Sequence, residues 1–468
     1  MTNQIRTYMA FSQPIDPARI LTIPDMDLSY ALGSTLVRWD DHKQIAPGIA
    51  QRWEIISEKT YRFTLRDGLK WSNNDLVKSI EVKQSIERGL KTYPDDHRSL
   101  ANLIDRIECP DATHVDIITK TPAKDSGLLG KLTEPNYSLL KIKSDDQIDL
   151  KISSGAFALK SMNENEVVLV QNANWFKFSP DMAKEVIIRQ PPITFDSQKG
   201  LLSDPWANMI ETSSLIDADT QRAYEKSNYH IWKRPIDKVF LVRLSPKLEN
   251  TDGFQLLRFL RDRLDKKVIL NGLSGISAGD QVFPVSFHLH DPSYAVKTKE
   301  KSLPSSLGKR PLEVIYTPSR VPQNLVENFK KAITDAYGVA PKMIPVGLKE
   351  SFVRREKSDF DLHLGTMGLA DPDPEGIMSF YLENNPPVIP KGDGVFLTRL
   401  DEARKEKDFS KRVKIFRGII TDATLGGYIL PVFHLSTVGI GKPELDFSQV
   451  SQSDESVTLS KVRFRKAQ

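Results

Sequence analysis

Asp359-Phe360-Asp361-Leu362-His363-Leu364-Gly365-Thr366-Met367-Gly368-Leu369-Ala370-Asp371-Pro372-Asp373-Pro374-Glu375-Gly376 is the stretch that decides how the chain folds. It begins as a short apolar strand, bends through small residues and becomes an acidic turn punctuated by prolines. A helix follows, because Ile377, Phe380 and Tyr381 have the i, i+3, i+4 apolar spacing. Pro372 has no N–H to donate and Gly368 accepts positive φ, so the chain must leave the sheet here. Asp371 therefore falls at the carboxyl end of a strand beside a helix start, where open α/β sheets hold ligands. Asp371 and Asp373 suit helix capping equally well, and spacing alone leaves the two roles level.

Upstream, strand and helix alternate from Leu312 to Leu364. Strands are expected at Leu312–Tyr316, Lys342–Val346 and Phe360–Leu364, with helices at Leu325–Tyr337, ended by Gly338, and Lys349–Arg355. Such alternation implies right-handed βαβ crossovers and a largely parallel sheet. Downstream, Leu400–Thr424 reads as one long amphipathic helix stopped by Gly426-Gly427, and Tyr428–Phe433 as a strand leading back to the first half.

The first half is built differently. Tyr61-Arg62-Phe63-Thr64-Leu65 alternates strictly, as a half-buried strand does, and Arg66-Asp67-Gly68 turns it. Asn73 or Asn74 is placed to cap a helix carrying Val77 and Ile80. Ser153–Leu159 and Val167–Val170 form a hairpin with Asn163-Glu164-Asn165 at its tip. Val239-Phe240-Leu241-Val242 is a wholly apolar strand, followed by a helix over Asp252–Leu264, and this passage is the expected hinge between two halves. All six tryptophans (39, 53, 71, 175, 206 and 232) lie in the first half, which supports two lobes of different construction.

The 468 residues exceed one ordinary domain and suggest about three. With 39% hydrophobic and 27% charged residues, the chain has the composition of a globular protein with a large core. A net charge of +4, with no basic block, gives no support to nucleic-acid binding. The lone Cys109 rules out an intrachain disulfide and reads as a small apolar residue. No apolar run reaches the ~18 residues of a membrane span. Met1–Arg6 lacks a basic region leading into an apolar core, so either the protein is cytosolic or a targeting peptide has been removed. Phosphate-cradling and nucleophile-elbow glycine motifs are absent. His288 and His290 could chelate a metal from one face of an extended segment, but no third ligand is evident and a solvated loop pair is the simpler reading.

Several segments, taken in order, resemble one family. They are Asp16-Pro17, Leu36-Val37-Arg38-Trp39, Ala46–Trp53, Tyr61–Ser72, Ser154–Phe157, Asn172–Trp175, Asp359–Leu362, Ala370–Pro374 and Ile429–Val432. The likeness is to the extracellular solute-binding proteins of the oligopeptide/dipeptide/nickel class, family 5, which deliver ligand to ABC importers. It implies an α/β, two-lobed periplasmic-binding-protein fold, class II-like, with an extra subdomain in the first lobe. The first lobe would comprise residues 1–32, 153–242 and 433–468, the extra subdomain 33–152, and the second lobe, with its βαβ units, 243–432.

By that resemblance the protein is no enzyme and needs no cofactor or metal. It would be a periplasmic monomer that binds a small solute, most simply a short peptide, and hands it to importer membrane subunits. Asp371 matches the aspartate that holds a peptide's α-ammonium, and a buried ammonium does need a carboxylate partner. Thr366 and Met367 would line the same mouth, with Thr35 and Phe433 contributing from the first lobe and the return strand. Closure would hinge near Val242–Ser245 and Leu430–Phe433. The sequence departs from the family at Ser34-Thr35, Asn73-Asn74-Asp75, Ser203–Asn208 and Arg243-Leu244-Ser245, so ligand identity is open. A cytosolic sensing or signal-relay module on the same fold, and a metal-dependent hydrolase using His288 and His290, are the competing classes.

Overall fold

A computed structural model describes residues 3–465 except 21–22, 41–43, 93–99, 124–126, 144–146, 194, 197, 213–217, 235–237, 274–275, 286, 288, 298, 309, 319, 369–373, 384–387, 390–393, 407 and 451–457. The first half begins with a four-stranded sheet in which Gln4–Tyr8 runs parallel to Glu185–Arg189, followed by Glu166–Gln171 and Phe157–Met162. The alternating pattern puts Ile5, Phe157, Leu169 and Ile188 into one core. Leu445, Phe447, Leu459 and Val462 from the chain's far end complete that core. A three-stranded sheet beside it has Val438–Gly441 between Met209–Thr212 and His230–Lys233.

Inserted in this half is a separate four-stranded antiparallel sheet of Ala50–Ser57, Thr60–Leu65, His114–Thr119 and Ile104–Glu108. Phe63, Trp71, Ile86 and Val115 form its own core under the Ser79–Thr92 helix. That helix starts later than the expected cap. Asn73 and Asp75 close a local turn through a 2.7 Å side-chain bond, Asn74 sits at φ 73°, and the Glu81 carboxylate accepts the Lys78 N–H at 2.9 Å. Arg88 holds Asp16 in a two-pronged ion pair of 2.9 and 2.7 Å that ties the insertion to the first core.

The second half is one six-stranded sheet in the order Ile276–Ala278, Leu430–Leu435, Lys238–Leu244, Leu362–Gly368, Glu313–Tyr316, Lys342–Pro345. Glu313–Tyr316 pairs in parallel with both Lys342–Pro345 and Leu362–Gly368; the other pairings are antiparallel. The largely parallel sheet expected from the βαβ alternation is thus a mixed one. The strands that enter and leave this half are outside the βαβ series, and they supply the antiparallel part. Period-two alternation sends Phe240, Val242 and Leu244 to one face, under the Thr251–Arg263 and Gln323–Tyr337 helices. Val239 and Leu241 face the opposite way, toward helices Pro374–Glu383, Val395–Lys405 and Phe409–Gly426.

Two expectations are corrected here. The long helix over 400–424 is two helices, because the chain turns extended at Glu406 and restarts where the Asp408 carboxylate accepts the Lys411 N–H. Gly427 does end the second one: it sits at φ +83°, and a Cβ there would stand 2.2 Å from the Phe254 carbonyl oxygen. The hinge expected at 242–245 and 430–433 begins inside the sheet, where Val242 pairs with both Leu364 and Leu430. For the same reason a boundary at residue 242 cuts through one strand. The chain crosses between the halves lower down, between Arg234 and Lys238 and between Leu435 and Val438. Arg234 N–H donates to the Thr437 carbonyl at 3.0 Å and joins the two crossings.

Candidate functional site

Strand direction builds the site. Glu313–Tyr316, Lys342–Pro345 and Leu362–Gly368 all run opposite to Lys238–Leu244, so their carboxyl ends gather at the edge where Lys238 enters. Lys238 pairs there with both Gly368 and Leu435. The same edge carries both crossings and faces the first half. This is the edge of an α/β sheet at which ligands collect.

Asp371 lies outside the described residues. Its flanks are fixed: the Leu362–Gly368 strand ends before it at this edge, and the Pro374–Glu383 helix begins after it. Thr366 and Met367 are half-buried at the strand's end, but successive side chains of a strand point to opposite faces. Met367 packs toward the face covered by the later helices, so it and Thr366 do not line one mouth together. Phe433 is fully buried and stacks on Phe240 with ring centroids 4.7 Å apart and planes 2° from parallel. Thr35 is buried as well, its hydroxyl donating to the Val37 carbonyl at 2.7 Å and its own carbonyl accepting the Ile49 N–H. These two positions are packed into cores and present no side chain to a solute.

A different group of side chains occupies the helix-covered face beside Gly365. Arg243 and His363 are cross-strand partners, and Arg243 Nη2 lies 2.8 Å from His363 Nδ1. Guanidinium only donates, so Nδ1 accepts and the imidazole proton resides on Nε2. Burial first, then the charges of Arg243, Arg355 and Arg320, hold the His363 pKa well below the usual imidazole value, in keeping with a neutral ring. Burial likewise disfavours charge on Arg243, and Arg355 and Arg320 add to this, with Tyr381 acting the other way. Arg243 Nε is shut away from solvent and has no hydrogen-bond partner.

Two carboxylates act on Arg355 and Arg320. Glu249 acts on Arg355, and burial raises its own pKa. Asp25, on the Ile23–Leu32 helix of the first half, favours the charge on Arg320 and so marks the side that faces across to that half. Sequence reading missed Arg243 and His363 as site residues. The signal was one arginine inside an otherwise apolar strand, but its partner lies 120 positions away and only strand register reveals it.

Two other places attract less. A notch of about 770 Å³ lies between Asp181, Asp446, Arg463 and Arg465 in the first half, and there Asp181 and Arg463 already pair at 3.2 Å. His288 is outside the described residues, while His290 Nδ1 lies 2.9 Å from the Phe283 carbonyl and Nε2 3.4 Å from Gln281. Among the described residues no group of three or more His, Cys, Asp or Glu side chains is placed to hold a metal.

Comparison with known proteins agrees with this geometry. Residues 44–197 match the family described as bacterial extracellular solute-binding proteins, family 5 Middle. The periplasmic oligopeptide-binding protein OppA of Salmonella typhimurium is 26% identical over 204 residues, which are 37% of this chain and 36% of that protein. The chain spans about a third or less of the length of the curated relatives it matches. The structure of the Escherichia coli murein tripeptide binding protein MppA is similar throughout, with a TM-score of 0.78 at 16% identity, covering 99% of both chains. The unliganded open form of MppA gives a TM-score of 0.57 at 16% identity, covering 99% of this chain and 97% of that one. The fold is the mixed α/β, two-lobed architecture of these periplasmic binding proteins.

Proposed function

We propose that the chain is a solute-binding protein of the bacterial extracellular family 5 type, which closes two lobes on a short peptide and delivers it to an ABC importer. The first lobe is assigned residues 1–32, 153–237 and 436–468, the extra subdomain 33–152, and the second lobe 238–435. The observation that carries the reading is the sheet edge. Three strand ends gather at the edge where Lys238–Leu244 begins and Leu430–Leu435 ends, and one of them, Leu362–Gly368, is the strand that precedes the acidic turn in sequence. The difference between the two MppA comparisons supports lobes that stand closer than in the open, unliganded form.

In this reading Asp371 accepts the peptide's α-ammonium, and extended peptide backbone pairs with strand edges while side chains sit in wet pockets. Closure bends the chain where it passes between the halves, after Arg234 and after Leu435, and the ladders of the sheets stay intact. No covalent chemistry is assigned. The protein works as a monomer in the periplasm, and no helix among the described residues is long and apolar enough to cross a membrane.

The test is a thermal-shift screen against a short-peptide library, followed by calorimetry on hits. A hydrogen bond to a charged group contributes about 1.5–3 kcal/mol, so Asp371→Asn should weaken binding about tenfold to a hundredfold. N-acetylation of the peptide should cost wild type the same factor and the variant much less. A library without hits, together with a radius of gyration that peptides leave unchanged, would refute peptide uptake.

A further inference from the structure

We propose that the notch between Asp181, Asp446, Arg463 and Arg465 in the first half is a second binding site, shaped for a small zwitterion of amino-acid size. It stands apart from the inter-lobe edge and does not depend on the peptide reading.

The first ground is place. Lys233 pairs with Val438 beside the crossings, and His230 pairs with Gly441 at the other end of the same two strands. Three residues of strand separate those ends, roughly 10 Å. Leu445–Asp446 lies beyond Gly441 and pairs with Arg463–Phe464. The notch, of about 770 Å³, therefore opens at the end of this lobe remote from the crossings. Small-molecule sites occupy about 300–1,000 Å³.

The second ground is how firmly its walls are set. Phe464 N–H donates to the Asp181 carbonyl at 3.0 Å, and Arg465 N–H to the Glu444 carbonyl at 2.9 Å. These bonds tie the segments around 181, 445 and 464 into one frame. The Arg463 guanidinium is held too, its Nη1 donating to the Ser460 carbonyl at 2.6 Å and to the Val462 carbonyl at 3.2 Å. A frame fixed in advance spares a ligand the cost of ordering it.

The third ground is the bonding capacity left over. The two Asp446 oxygens accept the Ser448 N–H and the Ser448 hydroxyl, each at 2.9 Å. Asp181 Oδ1 accepts the Ser179 hydroxyl and lies 3.2 Å from Arg463 Nε, while Oδ2 accepts no hydrogen bond among the described residues. Arg465 has Nη2 3.4 Å from His230 Nδ1 and forms no ion pair among the described residues. One guanidinium and one carboxylate oxygen are thus left unused. The four charged side chains cancel, so a lone anion or a lone cation would leave one side unmet. A molecule bearing both charges meets both.

Spacing sets its size. Arg463 and Arg465 share one side of their strand and stand two residues apart, roughly 7 Å. Asp181 sits at Arg463. An α-ammonium and an α-carboxylate, each reached through a hydrogen bond of about 2.8 Å, span that gap.

NMR titration of the full chain with glycine is the test. Two reporters border the notch: the His230 ring beside Arg465, and Trp232 Nε1–H, which donates to the carbonyl of Val450, the neighbour of Gln449 in the notch wall. Both should shift. N-acetylglycine and glycinamide each lack one charge and should bind about tenfold to a hundredfold more weakly, as should 6-aminohexanoate, whose charges stand too far apart. Arg465→Met should erase the advantage of glycine over glycinamide, and Asp181→Asn its advantage over N-acetylglycine. Arg465 is exposed and the Asp181 side chain is 47% exposed, so both variants should fold and bind peptides as wild type does. Asp371→Asn should bind glycine as wild type does, which separates the notch from the inter-lobe edge. Reporters that stay still at the highest soluble glycine concentration would overturn the site. So would glycine that binds no better than the three analogues, an advantage that survives either substitution, or glycine binding that Asp371→Asn removes.

Discussion

Replacing Asp361 by asparagine should destabilise the second lobe by about 3 kcal/mol and leave the first untouched. The carboxylate is fully buried. It accepts two N–H groups of Arg310 at 2.6 and 2.7 Å and the backbone N–H of Glu313 at 2.8 Å, with Lys247 Nζ at 3.2 Å. Removing one side of a buried, hydrogen-bonded pair costs about 3–5 kcal/mol. The lower end applies, because the Arg310 and Lys247 side chains are 45% and 38% exposed and rehydrate once released. Urea titration read two ways provides the assay. All six tryptophans precede Lys238, so their fluorescence reports the first lobe, whereas far-UV circular dichroism reports both. The dichroism midpoint should fall while the fluorescence midpoint holds.

Acid supplies the second arm of that test. Burial alone would raise the Asp361 pKa, but the hydrogen bonds from Arg310 and Glu313 and the charges of Lys247 and Arg310 outweigh it and hold it below the usual value. A depressed folded pKa gives stability that is complete above the unfolded value, near ~4, and is lost as pH falls through the folded one. The gap between wild type and variant should stay constant from neutral pH to about 5 and close below about 4. A gap within about 0.5 kcal/mol at neutral pH, the range of ordinary surface substitutions, would refute the reasoning.

Other consequences can be checked more briefly. Arg88→Met leaves Asp16 without its two-pronged partner and should cost about 2–3 kcal/mol, seen as an earlier tryptophan transition in urea. Phe433→Leu should cost about 1–2 kcal/mol through lost stacking on Phe240 and leave solute affinity unchanged in calorimetry; a large affinity loss would return Phe433 to the binding surface. Gly427→Ala meets both a positive φ and the Phe254 carbonyl, and should lower the melting temperature by several degrees, equivalent to about 1–3 kcal/mol.

The architecture was readable from sequence where local pattern decides it. The alternation from Leu312 to Leu364 gave the strands and helices to within a few residues, since 3.6- and 2-residue periods are written along the chain. What failed depends on distant partners. Nothing near Leu362–Gly368 says that Lys238–Leu244 lies antiparallel beside it, so neither the mixed sheet nor the Arg243–His363 contact was visible. Thr35 and Phe433 were named from family position, which locates a residue along the chain but not the direction of its side chain. Asp408 shows the opposite case: it is a plain capping residue in the middle of the expected long helix, and its signal is local to the sequence.

The way the first core is stitched has a consequence for biogenesis. Ile5 and Phe157 share that core with Leu445, Phe447 and Val462, and Trp232 Nε1 donates to the Val450 carbonyl at 3.2 Å. The second sheet, by contrast, is assembled from one uninterrupted run, Lys238 to Leu435. During vectorial synthesis the later-made lobe can therefore finish first, while the amino-terminal one waits, with its apolar face uncovered, for the last residues to emerge. A chaperone or an export machine that prefers unfinished polypeptides has a long window on this chain, and truncating even its final two dozen residues removes the closing stitch of the lobe that was begun first.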